Sequence, residues 1–192
     1  MQKFSVLCIL IEEKRKGGEK MQGKIHLYYG DGKGKTTAAV GLCVRACGAG
    51  KKVCFVQFLK EGSSSEISML RAFDGLEVLF VPQNFGFTFT MDAETKEKAQ
   101  KEYTALWEKA CKMAEKADVL ILDEVIPAMC ASLVSEEAVC AFLRQKPENL
   151  EVILTGNTPC RALVDMADYI TEMKKERHPF DKGTAARRGI EF

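Results

Sequence analysis

The sequence lacks the marks of secretion, membrane insertion and metal clusters. Its eight cysteines include no C-x-x-C pair, so neither a zinc ribbon nor a thioredoxin-like centre is indicated. Nothing points to an oxidising compartment. Cys43 and Cys47, one helical turn apart, and Cys54, inside an apolar run, read as small packed residues. Histidine is scarce, two in 192 residues, and no Ser/His/Asp or Cys/His arrangement offers a protein nucleophile. A net charge of +1 gives no basic surplus for nucleic acid or for a membrane surface. No apolar run is long enough to span a bilayer. These absences describe a reduced, cytoplasmic, soluble protein.

The first twenty residues differ from the rest. The apolar run 4–11 is followed by the charged stretch 12–20, the reverse of the order in a signal peptide. Gly17, Gly18 and Glu19 can be encoded by a purine-rich run suited to a ribosome-binding site just upstream of Met21. The expectation is a natural start at Met21, with 1–20 a non-native or disordered extension and 21–192 a single domain. That length suffices for a core without covalent staples. The apolar share of 46% and charged share of 29% are those of a globular protein and exclude a disordered chain.

From residue 24 strand-like and helix-like runs alternate. Apolar runs at 25–29, 53–59, 76–81, 119–122 and 152–155 predict buried strands, and 169–172 a short sixth strand. Helix formers at 36–46 stop at Gly48 and Gly50, and 93–116 predicts a long amphipathic helix. The fold class is therefore α/β, a mostly parallel sheet with helices on both faces. The stretch 82–92, rich in Phe and Gly, comes after a strand's carboxyl end, where ligands of open α/β sheets bind.

The strongest motif is Gly30-Asp31-Gly32-Lys33-Gly34-Lys35-Thr36-Thr37, between the first strand and the first helix. Such a loop turns amides toward a phosphate and adds the helix dipole. Lys35 supplies a mobile charge, and the Thr36 hydroxyl is placed to ligate Mg²⁺. In G-x-x-x-x-G-K-[ST] the first glycine would fall at Tyr29. Counted from Gly30 the loop is one residue short, so the phosphates need not lie as they do in ordinary ATPases. Asp123 and Glu124 end the apolar run 119–122 and are suited to hold Mg²⁺ directly or through water. Asp123 also suits a helix N-cap.

Taken together, the run 30–39, Gln57-Phe58, Gly86-Phe87-Thr88-Phe89, Leu122-Asp123-Glu124, Leu154-Thr155-Gly156, His178-Pro179-Phe180-Asp181-Lys182-Gly183 and Gly189-Ile190-Glu191-Phe192 resemble the corrinoid adenosyltransferase family of the cobalamin pathway. The order is the same over residues 23–192. The resemblance implies a RecA-like P-loop fold, a homodimer, and ATP bound in a reversed sense. The loop then holds the terminal phosphate, and the 5′-carbon faces a corrinoid (cobalamin, cobinamide or cobyrinic acid a,c-diamide). Reduced Co(I) attacks that carbon and triphosphate leaves, with Mg²⁺ or Mn²⁺ as the metal and a flavodoxin-like protein as a plausible reductant. By the same resemblance residues 30–37 hold phosphate, Glu124 assists the metal, and Phe87 and Phe89 pack against the corrin. By alternation alone, Phe85, Phe87 and Phe89 also suit a strand.

Two positions depart from the family pattern. Phe89 stands where Trp is common and lacks the indole donor. Asn157 stands where relatives often carry Arg, so a phosphate contact made by that Arg is either missing here or passes to Lys33, Arg161 or Arg187. Neither His26 nor His178 lies in the D-x-H-x-x-G pattern of corrinoid carriers, so no cobalt-ligating histidine is expected. Two other classes remain open. A P-loop ATPase acting as a switch or motor would need a basic stripe or arginine finger, and only Lys182, Arg187 and Arg188 cluster. A corrinoid chaperone would bind the finished cofactor without making it.

Overall fold

Strands form where large apolar and β-branched residues run together, and helices cover what those strands would otherwise expose. The computed structural model describes residues 22–86 and 88–191. The expected extension 1–20 and the start at Met21 lie outside the described residues, as do Phe87 and Phe192. Among the described residues there are six strands: β1 (Ile25–Tyr29), β2 (Val53–Gln57), β3 (Leu76–Phe80), β4 (Val119–Asp123), β5 (Glu151–Thr155) and β6 (Tyr169–Glu172). They form one sheet in the order β3-β2-β4-β5-β1-β6, and every pairing is parallel.

Both faces are covered. On one lie α1 (Lys35–Gly48) and α2 (Glu66–Leu70), whose Ala39, Cys43, Ile67 and Leu70 pack on Val53, Phe55, Ile121 and Ile153. On the other lie α3 (Ala93–Ala114), α4 (Val125–Cys130), α5 (Glu136–Gln145) and α6 (Arg161–Met166). Their Leu106, Ile126, Val139 and Leu163 pack on Cys54, Val56, Leu120 and Leu154. Consecutive residues of β2 thus serve opposite clusters, as the strand period requires. Fully buried Phe55, Ile121 and Leu154 each contribute about 1.5–3 kcal/mol by leaving water. Burial pushes the Cys43 and Cys54 thiols up to about 12, which makes them packing groups.

Three local features differ from the pattern read in the sequence. The second strand stops at Gln57, and the chain leaves the sheet at Leu59, whose φ is +56°. A left-handed leucine is uncommon, and it redirects the chain toward Lys60. Phe85 to Phe89 is not an alternating strand. Residues 84–86 have no regular structure, Thr88–Thr90 is a 3₁₀ turn, and Phe85 packs its ring 6.4 Å from that of Tyr103. Helices α2, α4, α5 and α6 have no counterparts among the predicted elements, although the start of α5 is marked. Ser135 accepts from the Ala138 amide at 3.1 Å, and Glu136 and Glu137 occupy the positive end of the helix.

Register brings the carboxyl ends of four strands together. Gln57 of β2 pairs with Asp123 of β4, Leu122 with Leu154 of β5, and Tyr28 of β1 with Thr155. The phosphate motif leaves β1 at this same edge.

Candidate active site

The loop 30–34 turns where β1 ends. Tyr29 remains in the strand, so the turn begins at Gly30, whose φ is +115°. A Cβ there would stand 2.5 Å from the Met173 carbonyl oxygen, so no larger residue fits. The Gly30 amide donates to the Asn157 carbonyl at 3.0 Å, and the Gly32 amide to the Met173 carbonyl at 2.6 Å. The Asp31 carboxylate accepts from the Lys175 amide at 2.9 Å, and that hydrogen bond holds its pKa below the usual carboxylate range. These three residues therefore fasten the loop to its neighbours. Gly32 to Thr37 line the adjoining cavity; Gly30 and Asp31 do not.

That cavity has a volume of about 460 Å³ and is bounded also by Lys60, Glu124 and the C-terminal Gly189, Ile190 and Glu191. Its size suits a small-molecule ligand. Among the described residues no cysteine or histidine lines it. The Lys35 ammonium donates back to the Gly32 carbonyl at 2.8 Å, folded onto the loop that it serves. Lys33 lies 3.7 Å from the Glu191 carboxylate. Arg187 also pairs with Glu191 at 3.0 Å, and its hydrogen bonds pull the Glu191 carboxyl down to about 2. Arg161 is occupied by Asp165 at 2.9 Å, so of the three basic candidates only Lys33 lines the cavity.

Asp123 is fully buried. Its Oδ1 accepts from the hydroxyls of Thr36 and Thr155, each at 2.8 Å. Its Oδ2 faces Gln57 Nε2 at 3.3 Å and Lys60 Nζ at 3.4 Å. A buried carboxylate is tolerated only when satisfied in this way. The N-cap position of α4 belongs to Glu124 and not to Asp123, and no side chain caps that helix. Glu124 adopts φ +59°, ψ +26°, a left-handed conformation held by its amide's bond to Thr155 Oγ1 at 2.8 Å. Strain of this kind collects at functional sites. Burial pushes the Glu124 carboxyl above its ordinary value, and the Asp123 charge adds to the rise; Lys60 and Lys35 oppose it. Gly156 permits α4 to start here, because a Cβ on it would meet Ile126 at 2.5 Å.

A second cavity of about 250 Å³ adjoins the stretch 83–91 and is lined by Phe85, Gly86, Thr88, Met91 and Tyr103, with Lys60 in its wall as well. Phe87 lies outside the described residues, and Phe89 falls within the 3₁₀ turn. Beside Asp123 the structure thus places Lys60, which no motif singles out, and Gln57 and Thr155, which the motifs name without a role. Gln57 and Thr155 close apolar strand runs, which the sequence shows; Lys60 has no such signal, because only the pairing of β2 with β4 brings it to Asp123.

A parallel sheet, a glycine-rich turn running into a helix, and a buried acid at a strand end define a P-loop nucleotide-binding fold of the RecA-like kind. Among solved structures the cytoplasmic domain of EssC matches with a TM-score of 0.51 and 15% identity, over 86% of this chain and 37% of that one, a likeness of fold alone. The chain belongs to the ATP:corrinoid adenosyltransferase BtuR/CobO/CobP family, whose profile matches residues 21–192. The corrinoid adenosyltransferase of Escherichia coli (strain K12) is 33% identical over 174 residues, covering 89% of this chain and 86% of that protein. The corrinoid adenosyltransferase of Pseudomonas aeruginosa PAO1 is 31% identical over 186 residues, covering 95% and 90%. Membership makes the protein a transferase, and makes its reaction the ATP-dependent adenosylation of a corrinoid. A switch or motor ATPase is not favoured.

Proposed function

We propose that this cavity binds ATP by its triphosphate, with residues 33–37 and Lys35 on the phosphates, and presents the 5′-carbon to a reduced corrinoid in the neighbouring cavity. The observation that carries this reading is the junction of the two cavities, one lined by the P-loop and one by the stretch 83–91, through the Lys60 side chain. Cobalt(I) contributes an electron pair to a new Co–C bond. The C5′–O bond breaks, and its pair departs with triphosphate. Because the corrinoid is itself the nucleophile, the protein needs only to align the reactants and offset charge on the leaving group. That accords with a cavity whose described lining holds no cysteine or histidine.

Thr36, Asp123 and Glu124 are proposed to hold Mg²⁺ or Mn²⁺, directly or through water. Their donors are hard oxygens, the set these ions prefer. Gln57 Oε1 is a buried oxygen without a hydrogen-bond partner among the described residues, and a metal-bound water would satisfy it. The ion would offset phosphate charge. We further infer a cytoplasmic homodimer supplied with electrons by a flavodoxin-like protein. Among the described residues no helix is long and apolar enough to cross a membrane. The reaction products test the reading: ATP incubated with Co(I) corrinoid should yield inorganic triphosphate and an alkylated corrin. ADP and phosphate instead would overturn it.

Phe89 is proposed to act earlier, on cobalt reduction, by helping to displace axial ligands. Phe89→Ala should leave ATP affinity nearly unchanged. With a mild protein reductant its activity should fall by about tenfold or more, a loss of the size that removing one well-placed aromatic contact produces. A strong chemical reductant that delivers Co(I) directly should restore most of that activity. Phe89→Trp should be tolerated. Equal losses under both reductants would move the ring to substrate positioning.

A further inference from the structure

Lys60 stands three residues beyond β2, after the left-handed turn at Leu59 that redirects the chain. Its Nζ lies 3.4 Å from Asp123 Oδ2 and 3.5 Å from Thr36 Oγ1. Those separations exceed the 2.7–2.9 Å or so of a tight ammonium–carboxylate bond. The ammonium is shared between two oxygens and locked onto neither. It supplies the positive charge that a fully buried carboxylate requires, from a side chain that is itself 32% exposed and free to leave. The two oxygens it faces are among those proposed for the divalent metal. Two cations cannot share them without strong repulsion.

The direction of departure is also built in. Lys60 lines both the P-loop cavity and the cavity beside 83–91, so it borders the place where the breaking C5′–O bond would lie. We propose that Lys60 is a mobile cation of the adenosyl-transfer site, resting on Asp123 until a divalent ion displaces it and then neutralising the triphosphate as it leaves. The inference rests on the function proposed above. No proton moves: the electron pair of Co(I) becomes the Co–C bond, the C5′–O pair goes to triphosphate, and Lys60 stabilises the charge that develops there.

The test compares wild type with Lys60→Met and Lys60→Arg. Without nucleotide, Lys60→Met should bind Mn²⁺ about threefold to tenfold more tightly by electron paramagnetic resonance, because a competing charge is gone. With Mg²⁺ present, calorimetry should show it binding tripolyphosphate on the order of 10- to 100-fold more weakly. Lys60→Arg should recover most of that affinity, which also shows that the site remains folded. Under strong reductant Lys60→Met should lose kcat with an unchanged KM for corrinoid. A residue that merely supported the fold would weaken both ligands. Mn²⁺ binding unchanged or weaker in Lys60→Met, or tripolyphosphate binding unchanged, overturns the proposal while the functional reading stands. Failure of the wild type to release triphosphate overturns both.

Discussion

Lys35→Ala should lower the rate of triphosphate release roughly 10³-fold, while the melting temperature stays within about 2 °C of wild type. The asymmetry arises from the contacts the side chain makes. Lys35 sits at the first position of α1, and its ammonium makes one hydrogen bond, to the Gly32 carbonyl of its own loop. It belongs to neither apolar cluster, so removing it opens no cavity in the core. In the proposed complex the same ammonium lies on a polyanion, where charge develops as the C–O bond breaks. Lys35→Arg should recover little, because the bulkier planar guanidinium does not fit a loop that Gly32 holds against Met173 at 2.6 Å. Equilibrium dialysis with ATP and a discontinuous triphosphate assay separate binding from turnover. Normal ATP affinity together with a normal rate in Lys35→Ala would remove the phosphate assignment from the loop.

How much of this was visible in the sequence depended on the range of the interactions. β1, the glycine-rich turn and α1 are written within 24 consecutive residues, 25–48, and each signal there is local: an apolar run, glycines, then helix formers. The carboxylates were equally legible, because an apolar strand ending in Asp123-Glu124 has few explanations. Lys60 was not, since its role depends on β2 lying beside β4 and on the left-handed Leu59. Nor could spacing show that the Gly30 and Gly32 amides are spent on Asn157 and Met173, residues 127 and 141 positions away. Those two bonds fasten the start of the loop, and it is residues 32–37 that line the cavity. The aromatic stretch misled for a different reason. Alternation at 85, 87 and 89 has the period of a strand, but Gly86 at φ +76° and the 3₁₀ turn at Thr88–Thr90 break it.

Glu124→Gln should slow the enzyme and stabilise its fold. Activity should fall on the order of 10²-fold, the loss typical of removing one electrostatic stabiliser, and the Mg²⁺ concentration needed for half-maximal rate should rise. The stability effect comes from the pKa. Burial, reinforced by the Asp123 charge, raises the Glu124 carboxyl above its ordinary value in the folded protein. Between the ordinary value and the raised one, the native state holds a proton that the unfolded chain has released. Stability is therefore fully present below the ordinary carboxylate pKa and is lost as pH rises through the raised value. At a pH above the raised value, with chelator and without nucleotide, the wild type keeps an ionised group in a place that disfavours it. The neutral amide of Glu124→Gln carries no such charge, so the variant should melt a few degrees higher. The gain should shrink as pH is lowered through the raised value and disappear near the ordinary one, where wild-type Glu124 is protonated too. Calorimetric melting curves across that range and a Mg²⁺ titration of the rate make the measurement. An unchanged Mg²⁺ requirement would pass the metal role to Asp123. A lower melting temperature above the raised value would mean that ionised Glu124 stabilises the fold through its neighbours Lys60 and Lys35, and that the strained backbone at 124 is held for structure and not for the reaction.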